Sequence, residues 1–257
     1  SIGGFGVAWN GKLWVALGEG TNTIAYSYDG INWTGLGDTI FSSVGYGVAW
    51  NGKLWVAVGE GTNTIAYSYD GITWTGLEKT TFSSFGYGVA WNGKLWVAVG
   101  YGATNTMAYS SDGITWTGLE KTTFSSSGYG VAWNGKLWVA VGEGTNTVAY
   151  SSDGITWVGL GKTTFSIGGF GVAWNGKLWV AGGSGTNTMA YSYDGITWTG
   201  LEDAIFSGGR SVAWNGKLWV AVGIGTNTMA YSYDGITWTG LGNAIFSSRG
   251  VGVAWNG

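Results

Sequence analysis

The side chains best suited to chemistry are six aspartates that recur in one short sequence, Ser-x-Asp-Gly-Ile-x-Trp. They are Asp29, Asp70, Asp112, Asp153, Asp194 and Asp234. A carboxylate can ligate a metal ion or act as an acid or base, and either task needs further ligating or charged groups close by. The neighbours here are Ser, Tyr and Gly, and successive aspartates are 40 to 42 residues apart. We therefore predict that these aspartates stabilise turns and bind no metal.

Other catalytic chemistries lack their residues. The chain has no His and no Cys, which excludes Ser-His and Cys-His nucleophilic pairs and zinc sites built from these side chains. Glu202-Asp203 is the only adjacent acidic pair, and we interpret it as part of a solvated linker. Gly-rich segments such as Gly59-Glu60-Gly61 have no following Lys and helix that could hold a phosphate. The sequence predicts a protein that is not an enzyme and has no cofactor.

The charge of the chain restricts its partners. The net charge is −3, and the eleven Lys and Arg residues are spread along the sequence. Binding to a nucleic-acid backbone requires clustered cations, so we expect no nucleic-acid partner. No apolar run approaches the roughly 20 residues that span a bilayer as a helix, so we also expect no membrane insertion.

Seven Trp-Asn-Gly triplets divide the chain into nearly identical repeats. They begin at Trp9, Trp50, Trp91, Trp133, Trp174, Trp214 and Trp255. Their spacings are 41, 41, 42, 41, 40 and 41 residues, and residues 247–257 duplicate the register of residues 1–11. A repeat of this length is one supersecondary unit that buries its apolar faces against its neighbours. We predict a single domain over residues 1–257.

Each repeat has the composition and turn signals of four antiparallel strands. In the second repeat the predicted strands cover residues 46–50, 53–58, 64–69 and 72–77. Asn51-Gly52 joins the first two strands, and Asp70-Gly71 joins the last two. Asn-Gly and Asp-Gly are strong hairpin signals because both positions of a type I′ turn require positive φ.

The pairing across the first hairpin predicts how the sheets pack. A two-residue turn pairs Val48 with Trp55 on one face of the sheet and Ala49 with Leu54 on the other. Both faces are apolar, so both must be covered by neighbouring sheets. A radial array of sheets meets this need, and about 41 residues is the size of a propeller blade. We predict an all-β, six-bladed β-propeller with four antiparallel strands per blade, the small first strand innermost and the fourth outermost.

The second hairpin carries a family resemblance. The segment Ser68-Tyr69-Asp70-Gly71-Ile72-Thr73-Trp74 resembles the Asp-box of bacterial-neuraminidase-type repeats, usually Ser-x-Asp-x-Gly-x-Thr-Trp. Every copy here lacks the residue between Asp and Gly, and the first has Asn32 in place of Thr. The resemblance implies a propeller with the box at the turn between the third and fourth strands. The whole repeat also resembles uncharacterised repetitive propeller proteins of giant viruses.

The same resemblance argues against sialidase activity. Sialidases that carry the Asp-box use three arginines, a Tyr nucleophile and an acidic residue. This chain contains two arginines, Arg210 and Arg249. The resemblance therefore implies a shared fold and not a shared reaction.

The repeats differ from one another at two positions. One follows the second strand and is occupied by Glu19, Glu60, Tyr101, Glu143, Ser184 and Ile224. The other lies in the linker between repeats and is occupied by Val44, Phe85, Ser127, Gly168, Gly209 and Arg249. In the predicted topology the two positions lie at the same end of the sheets, opposite the Asn-Gly and Asp-Gly turns.

Two functions remain open from the sequence. The first is a structural or interaction scaffold without a small ligand, which we favour. The second is a lectin-like module, because Asn amides and Thr hydroxyls can bind sugar hydroxyls and repetition adds avidity. The candidate ligand face consists of Asn22, Asn63, Asn105, Asn146, Asn187, Asn227, Tyr101 and Arg249. The partner would be a protein in the first case and a glycan in the second.

A surplus copy of the first strand raises a further question. Residues 5–9 and 251–255 compete for one position, and the sequence does not decide between them. The N-terminal copy has the shorter connection to its partner strand, whereas the C-terminal copy would join the two ends of the chain. A displaced copy could pair with another molecule, so self-association is a further expectation.

Overall fold

The computed structural model describes residues 3–255 and contains twenty-four strands in that range. Residues 1, 2, 256 and 257 lie outside the described residues. No helix occurs between residues 3 and 255, and so none that could cross a membrane. The described chain divides into two compact units, residues 3–122 and residues 123–255, each with three repeats. The prediction of a single domain over residues 1–257 stays a prediction.

Four classes of strand recur in every repeat. The first strands are β1 (Gly3–Trp9), β5 (Val44–Trp50), β9 (Phe85–Trp91), β13 (Ser127–Trp133), β17 (Gly168–Trp174) and β21 (Gly208–Trp214). The second strands are β2 (Trp14–Glu19), β6 (Trp55–Glu60), β10 (Trp96–Tyr101), β14 (Trp138–Glu143), β18 (Trp179–Ser184) and β22 (Trp219–Ile224). The third strands are β3 (Ile24–Ser27), β7 (Ile65–Ser68), β11 (Met107–Ser110), β15 (Val148–Ser151), β19 (Met189–Ser192) and β23 (Met229–Ser232). The fourth strands are β4 (Thr34–Gly35), β8 (Thr75–Gly76), β12 (Thr117–Gly118), β16 (Val158–Gly159), β20 (Thr199–Gly200) and β24 (Thr239–Gly240).

The strands of each repeat pair antiparallel in the order first, second, third, fourth. Within a unit, the last residue of a second strand also pairs with the start of the next first strand, as Glu19 does with Val44 and Glu60 with Phe85. The six four-stranded repeats confirm the predicted all-β architecture of six blades. The predicted strand order within a blade is confirmed as well.

Inside each unit the facing sheets of successive repeats cover each other, so the middle repeat is covered on both faces. Trp55 of the second repeat is fully buried and packs in one cluster with Leu13 and Val15 of the first. Trp96 of the third repeat packs in the same way with Leu54 and Val56 of the second. Apolar burial on both faces is therefore the main source of cohesion between successive repeats.

Glycine allows the first strands of neighbouring repeats to approach closely. A Cβ atom on Gly47 would lie 2.8 Å from the carbonyl oxygen of Tyr87 in the next repeat, and one on Gly171 would lie 2.7 Å from that of Arg210. Real Cβ atoms essentially never come this close to backbone oxygen. The small residues of the first strand are thus required by the contact between repeats.

The predicted register of the first hairpin is wrong by two residues. Trp50 pairs with Trp55, and Val48 pairs with Ala57 rather than with Trp55. The connection has four residues because the Oδ1 atom of Asn51 accepts hydrogen bonds from the backbone N–H groups of Lys53 and Leu54, at 2.8 and 2.7 Å. A shift of two residues returns each side chain to the same face, so the inference of two apolar faces survives.

The tryptophans of a repeat differ in burial. Trp55 is fully buried, whereas Trp50 and Trp74 are only partly buried. The equivalents of Trp55 are fully buried in the third to sixth repeats, but Trp14 in the first repeat is partly buried. The fourth strand is shorter than predicted, two residues instead of six, which leaves Trp74 in the connection that precedes Thr75. In the second to sixth repeats, one indole per repeat therefore fills the core.

The N-terminal copy of the duplicated segment forms the first strand of the first repeat. Strand β1 pairs with β2 along its whole length, from Gly3 with Glu19 to Trp9 with Trp14. The C-terminal copy forms no strand over residues 251–255 and contacts the sixth repeat, where the N–H of Val253 donates to Ser211 Oγ at 3.4 Å. Self-association through this copy stays a prediction.

We expect the core indoles to dominate stability. Trp96→Ala should lower the free energy of unfolding by about 3–5 kcal/mol, because it leaves a large cavity between two repeats. Trp33→Ala is the matched control, since that ring is 42% exposed, and should cost less than half as much. Urea unfolding followed by tryptophan fluorescence measures both. Equal losses for the two variants would show that burial between repeats does not set stability.

Candidate functional site

The six predicted turn aspartates lie in closed hydrogen-bond networks. In the second repeat Asp70 Oδ1 accepts from the N–H groups of Ile72 and Thr73 and from the hydroxyl of Ser68, at 2.8, 2.7 and 2.9 Å. Ser68 Oγ in turn accepts from the N–H of Gly71, whose φ of +78° is the left-handed conformation that glycine favours. The equivalent bonds recur at Asp29, Asp112, Asp153, Asp194 and Asp234.

These bonds keep the carboxylates ionised. Burial acts to raise the pKa of Asp70, but the hydrogen bonds from Thr73, Ile72 and Ser68 together outweigh it and lower that pKa. In the first repeat the backbone N–H of Asn32, followed by its side-chain amide, lowers the pKa of Asp29 far below the usual range. Within residues 3–255 no three His, Cys, Asp or Glu side chains cluster as metal ligands would. The arrangement suits the turn and offers no proton donor near neutral pH.

The asparagines of the predicted ligand face are engaged with the backbone. Asn63 Oδ1 accepts from the N–H of Glu78 at 2.7 Å, and its Nδ2 donates to the carbonyl oxygen of Ile40 at 2.7 Å. The side-chain amide also lies against Gly76, where a Cβ atom would overlap it. One or both bonds recur at Asn22, Asn105, Asn146, Asn187 and Asn227. The amides that the lectin hypothesis assigned to sugar hydroxyls are therefore used within the fold.

The same asparagine binds the segment that follows the fourth strand, which has an unusual backbone conformation. Glu78, Glu120 and Glu202 follow the fourth strands with φ between 52° and 57°, a region that non-glycine residues seldom occupy. The equivalent positions in other repeats carry Gly37, Gly161 and Gly242. The N–H of Glu78 donates to Asn63 Oδ1 and so stabilises that conformation, and equivalent bonds hold Glu120 and Glu202.

The residues that differ between repeats are cross-strand partners. Val44 pairs with Glu60, Phe85 with Tyr101, and Ser127 with Glu143. In the sixth repeat the partner of Ile224 is Gly208, so the equivalence predicted for Gly209 is wrong by one residue because the linker is shorter. We call these pairs, together with the side chains two residues further along each first strand, the variable end.

In the first unit the variable end is a chain of aromatic rings. The ring of Tyr46 lies 5.2 Å from that of Phe5 and 5.0 Å from that of Tyr87. Phe85 stacks on Tyr87 at 5.6 Å and lies 5.8 Å from Tyr101, which is 38% exposed. Tyr101 belongs to the predicted ligand face, whereas Phe5, Tyr46 and Tyr87 do not. Their signal is a large side chain between two glycines in a strand of otherwise small residues.

A tyrosine at the variable end of each unit is accompanied by a carboxylate. The hydroxyl of Tyr46 donates to Glu60 Oε2 at 3.5 Å, and that of Tyr129 donates to Glu143 Oε2 at 3.0 Å. Burial, followed by the negative charge of Glu60, raises the pKa of Tyr46 to about 12. Tyr46 is therefore a neutral hydrogen-bond donor at physiological pH.

In the second unit the variable end also carries positive charge. The guanidinium carbon of Arg210 lies 4.2 Å from the ring centroid of Phe170, whose ring lies 5.1 Å from that of Tyr129. Arg249, a residue of the predicted ligand face, is exposed and forms an antiparallel β-bridge with Ile224. Arg210 occupies the position that Tyr46 holds in the second repeat.

Comparison with known proteins identifies the fold. No family model and no curated protein sequence matches the chain. A catalytically inactive variant of virginiamycin B lyase from Staphylococcus aureus, crystallised with quinupristin, has a TM-score of 0.83 at 11% identity, covering 99% of this chain and 89% of that one. A chain of a mitotic checkpoint complex has a TM-score of 0.74 at 15% identity and covers 98% of this chain and 80% of its own. The computationally designed protein Ika8 has a TM-score of 0.65 at 17% identity, covering 99% and 78%. At these identities the similarity shows the β-propeller fold alone, and the chain is a six-bladed β-propeller.

The turn aspartates should make stability depend on pH in the acid range. Their pKa values are lowered in the folded state, so their contribution is present above the unfolded pKa of about 3.9 and is lost as pH falls towards the folded values. We expect the urea midpoint to fall steadily below about pH 4, and Asp153→Asn to reduce that fall. Asp203→Asn, on an exposed linker, is the control. A midpoint that stays constant between about pH 5 and 2 would contradict the assignment.

The asparagine bonds should be visible in stability. Asn146 Oδ1 accepts from Gly161 N–H at 2.8 Å and its Nδ2 donates to the Thr123 carbonyl at 2.6 Å, so Asn146→Ala removes two bonds and should cost about 1–3 kcal/mol. Thr145→Ala, at an exposed neighbouring side chain, should change stability by less than about 0.5 kcal/mol. If both variants unfold at the wild-type urea concentration, the amide is not a structural clamp.

Proposed function

We propose that this propeller is a non-catalytic interaction scaffold that binds a partner protein through the variable end. The proposal rests on which positions are the same in all repeats and which positions differ. Polar residues shared by the repeats are engaged within the fold, as Asp70 and Asn63 are. The differences fall on cross-strand pairs such as Phe85 with Tyr101 and Ser127 with Glu143.

The chemistry of the variable end supports a protein partner. A repeated small ligand would need the same contact residues in each repeat, whereas Glu60, Tyr101 and Ser184 occupy one equivalent position. A mosaic of aromatic, acidic and small side chains suits one irregular surface, and aromatic residues contribute strongly to protein interfaces. The partly exposed rings of Tyr46 and Tyr87 would provide such contacts in the first unit.

The non-catalytic part of the proposal rests on residue types and geometry. The chain has neither His nor Cys, and the six repeated carboxylates accept hydrogen bonds from turn amides. The turns support the resemblance to the Asp-box, because the Ser, Asp and Trp of each segment bond to its own backbone. In this proposal the box has a structural role only.

A lectin-like function is the second candidate, favoured by the Tyr–Glu pairs. Tyr46 with Glu60 and Tyr129 with Glu143 each place a phenol ring beside a carboxylate. An aromatic ring can cover the apolar face of a sugar while a carboxylate accepts hydrogen bonds from its hydroxyls. This version of the lectin hypothesis uses the tyrosines in place of the six asparagines.

Substitutions borrowed from other repeats test the scaffold without straining the fold. Phe85→Ser with Tyr101→Glu gives the third repeat the pair found in the fourth, Ser127 with Glu143, and removes two rings from the variable end. The immobilised wild-type chain is first used to capture a partner protein from an extract of its native source. We expect the double variant to bind that partner at least about tenfold more weakly than the wild type does. The control Lys94→Ala changes the opposite end of the same repeat and should bind as the wild type does.

Three results would decide between the candidates. Equal capture by the double variant and the wild type would refute the scaffold. Saturable binding on a glycan array, lost in Glu60→Gln with Glu143→Gln, would replace it with the lectin-like function. Turnover of a substrate by the purified chain would refute the non-catalytic assignment.

A further inference from the structure

The two arginines of the chain both lie in the second unit at the variable end of the sixth repeat. Arg210 stands where the second, third and fourth repeats have Tyr. Arg249 is equivalent to Val44, Phe85 and Ser127, which begin the first strands of those repeats. The two arginines are 39 positions apart in the sequence. The nine Lys residues lie elsewhere, six of them in the first hairpin loops at the other end of the sheets.

Strand pairing brings the two arginines together. Ile224 pairs with Gly208, two residues before Arg210, and also forms the bridge with Arg249. The end of strand β22 therefore lies between Arg249 and the start of β21, the strand that carries Arg210. Burial lowers the pKa of Arg210 most, and the positive charge of Arg249 lowers it further.

Contact with an aromatic ring orients the guanidinium group of Arg210. Its guanidinium lies over Phe170 at 4.2 Å, a cation–π contact that orients the group. Its Nε atom is buried and has no hydrogen-bond acceptor, whereas neither of its Nη atoms is both buried and unpaired. The end of the guanidinium that carries the two Nη groups is therefore the edge that reaches solvent.

No carboxylate is paired with either arginine. Among residues 3–255 neither arginine forms an ion pair, and burial, followed by the charge of Arg249, lowers the pKa of Arg210. Two adjacent cations without a counter-charge attract an anion, and a planar guanidinium matches the geometry of two oxygens on one carboxylate or phosphate.

We propose that Arg210 and Arg249 form a binding site for an oxyanion group, a carboxylate or a phosphate of a small ligand. The two Nη groups of Arg210 donate to two oxygens of that group, and Arg249 supplies the second charge from the neighbouring segment. Phe170 holds the guanidinium in place and lowers the entropy lost on binding. This site goes beyond the scaffold function, because it needs no partner protein.

Titration of the purified full-length chain with inorganic phosphate and, separately, with acetate tests the site by isothermal calorimetry at constant chloride. Arg210→Tyr and Arg249→Ser each introduce the residue that the fourth repeat has, Tyr129 or Ser127, and should weaken binding at least about tenfold. Lys217→Ala removes one charge from the same repeat at the opposite end and should stay within about twofold of the wild type. Circular dichroism establishes that each variant is folded.

A conservative variant keeps the test decisive if Arg210→Tyr does not fold. Arg210→Lys retains the charge but loses the planar pair of donors, so we expect clearly weaker binding with the wild-type melting temperature. Preference for phosphate or for acetate identifies the ligand group and supports the site in either case. The site is refuted if neither anion binds the wild type saturably, if the arginine variants bind as the wild type does, or if Lys217→Ala weakens binding equally. None of these results depends on a partner protein, so the scaffold proposal is tested separately.

Discussion

Burial of apolar side chains between successive sheets is the constraint on which the rest of the structure depends. A four-stranded sheet with apolar side chains on two sides is unstable by itself, and within each unit the facing sheets of successive repeats cover each other. Trp96 from one repeat lies against Leu54 and Val56 from the previous one, and the Gly residues of the first strands allow the backbones to approach. Strand order, glycine content and the buried indole of the second to sixth repeats follow from this packing.

This packing does not provide hydrogen-bond partners for the polar groups at the ends of the sheets, so side chains at those ends provide them. The Ser-Asp-Gly segments do so at one end, where Asp70 accepts two backbone amides and one hydroxyl. At the other end Asn63 connects a strand, a left-handed residue and a linker. Since these networks are closed, an external ligand would have to use side chains that the networks leave out. Those side chains are the aromatic rings of the first unit and the arginines of the second.

Much of the architecture can be predicted from the sequence because period and composition determine it. The repeat length and the apolar residues on both faces predict blades, and the six Ser-x-Asp-Gly-Ile-x-Trp segments predict turns. The register of the first hairpin cannot be predicted in this way. An Asn-Gly pair is compatible with a two-residue turn and with a four-residue connection in which Asn51 binds two amides. Hydrogen bonds of the side chain favour the second.

The site residues are harder to predict for a related reason. An exposed asparagine in a loop has the same sequence signal whether it binds a sugar or the backbone, and only the contacts of Asn63 distinguish these roles. Arg210 and Arg249 are far apart in sequence and meet through the pairing of Gly208 and Ile224, which depends on a shortened linker. The sequence names the residues, but the register determines which of them meet.

The closed turn networks have a consequence at the level of the gene. Because a segment of 41 residues contains its own turn donors and acceptors, in-frame duplication or loss of the corresponding DNA adds or removes one whole blade and leaves few polar groups unpaired. Recombination between such similar segments would keep the strands uniform. Point mutations would then persist mainly outside the turn networks, as they do at the variable end.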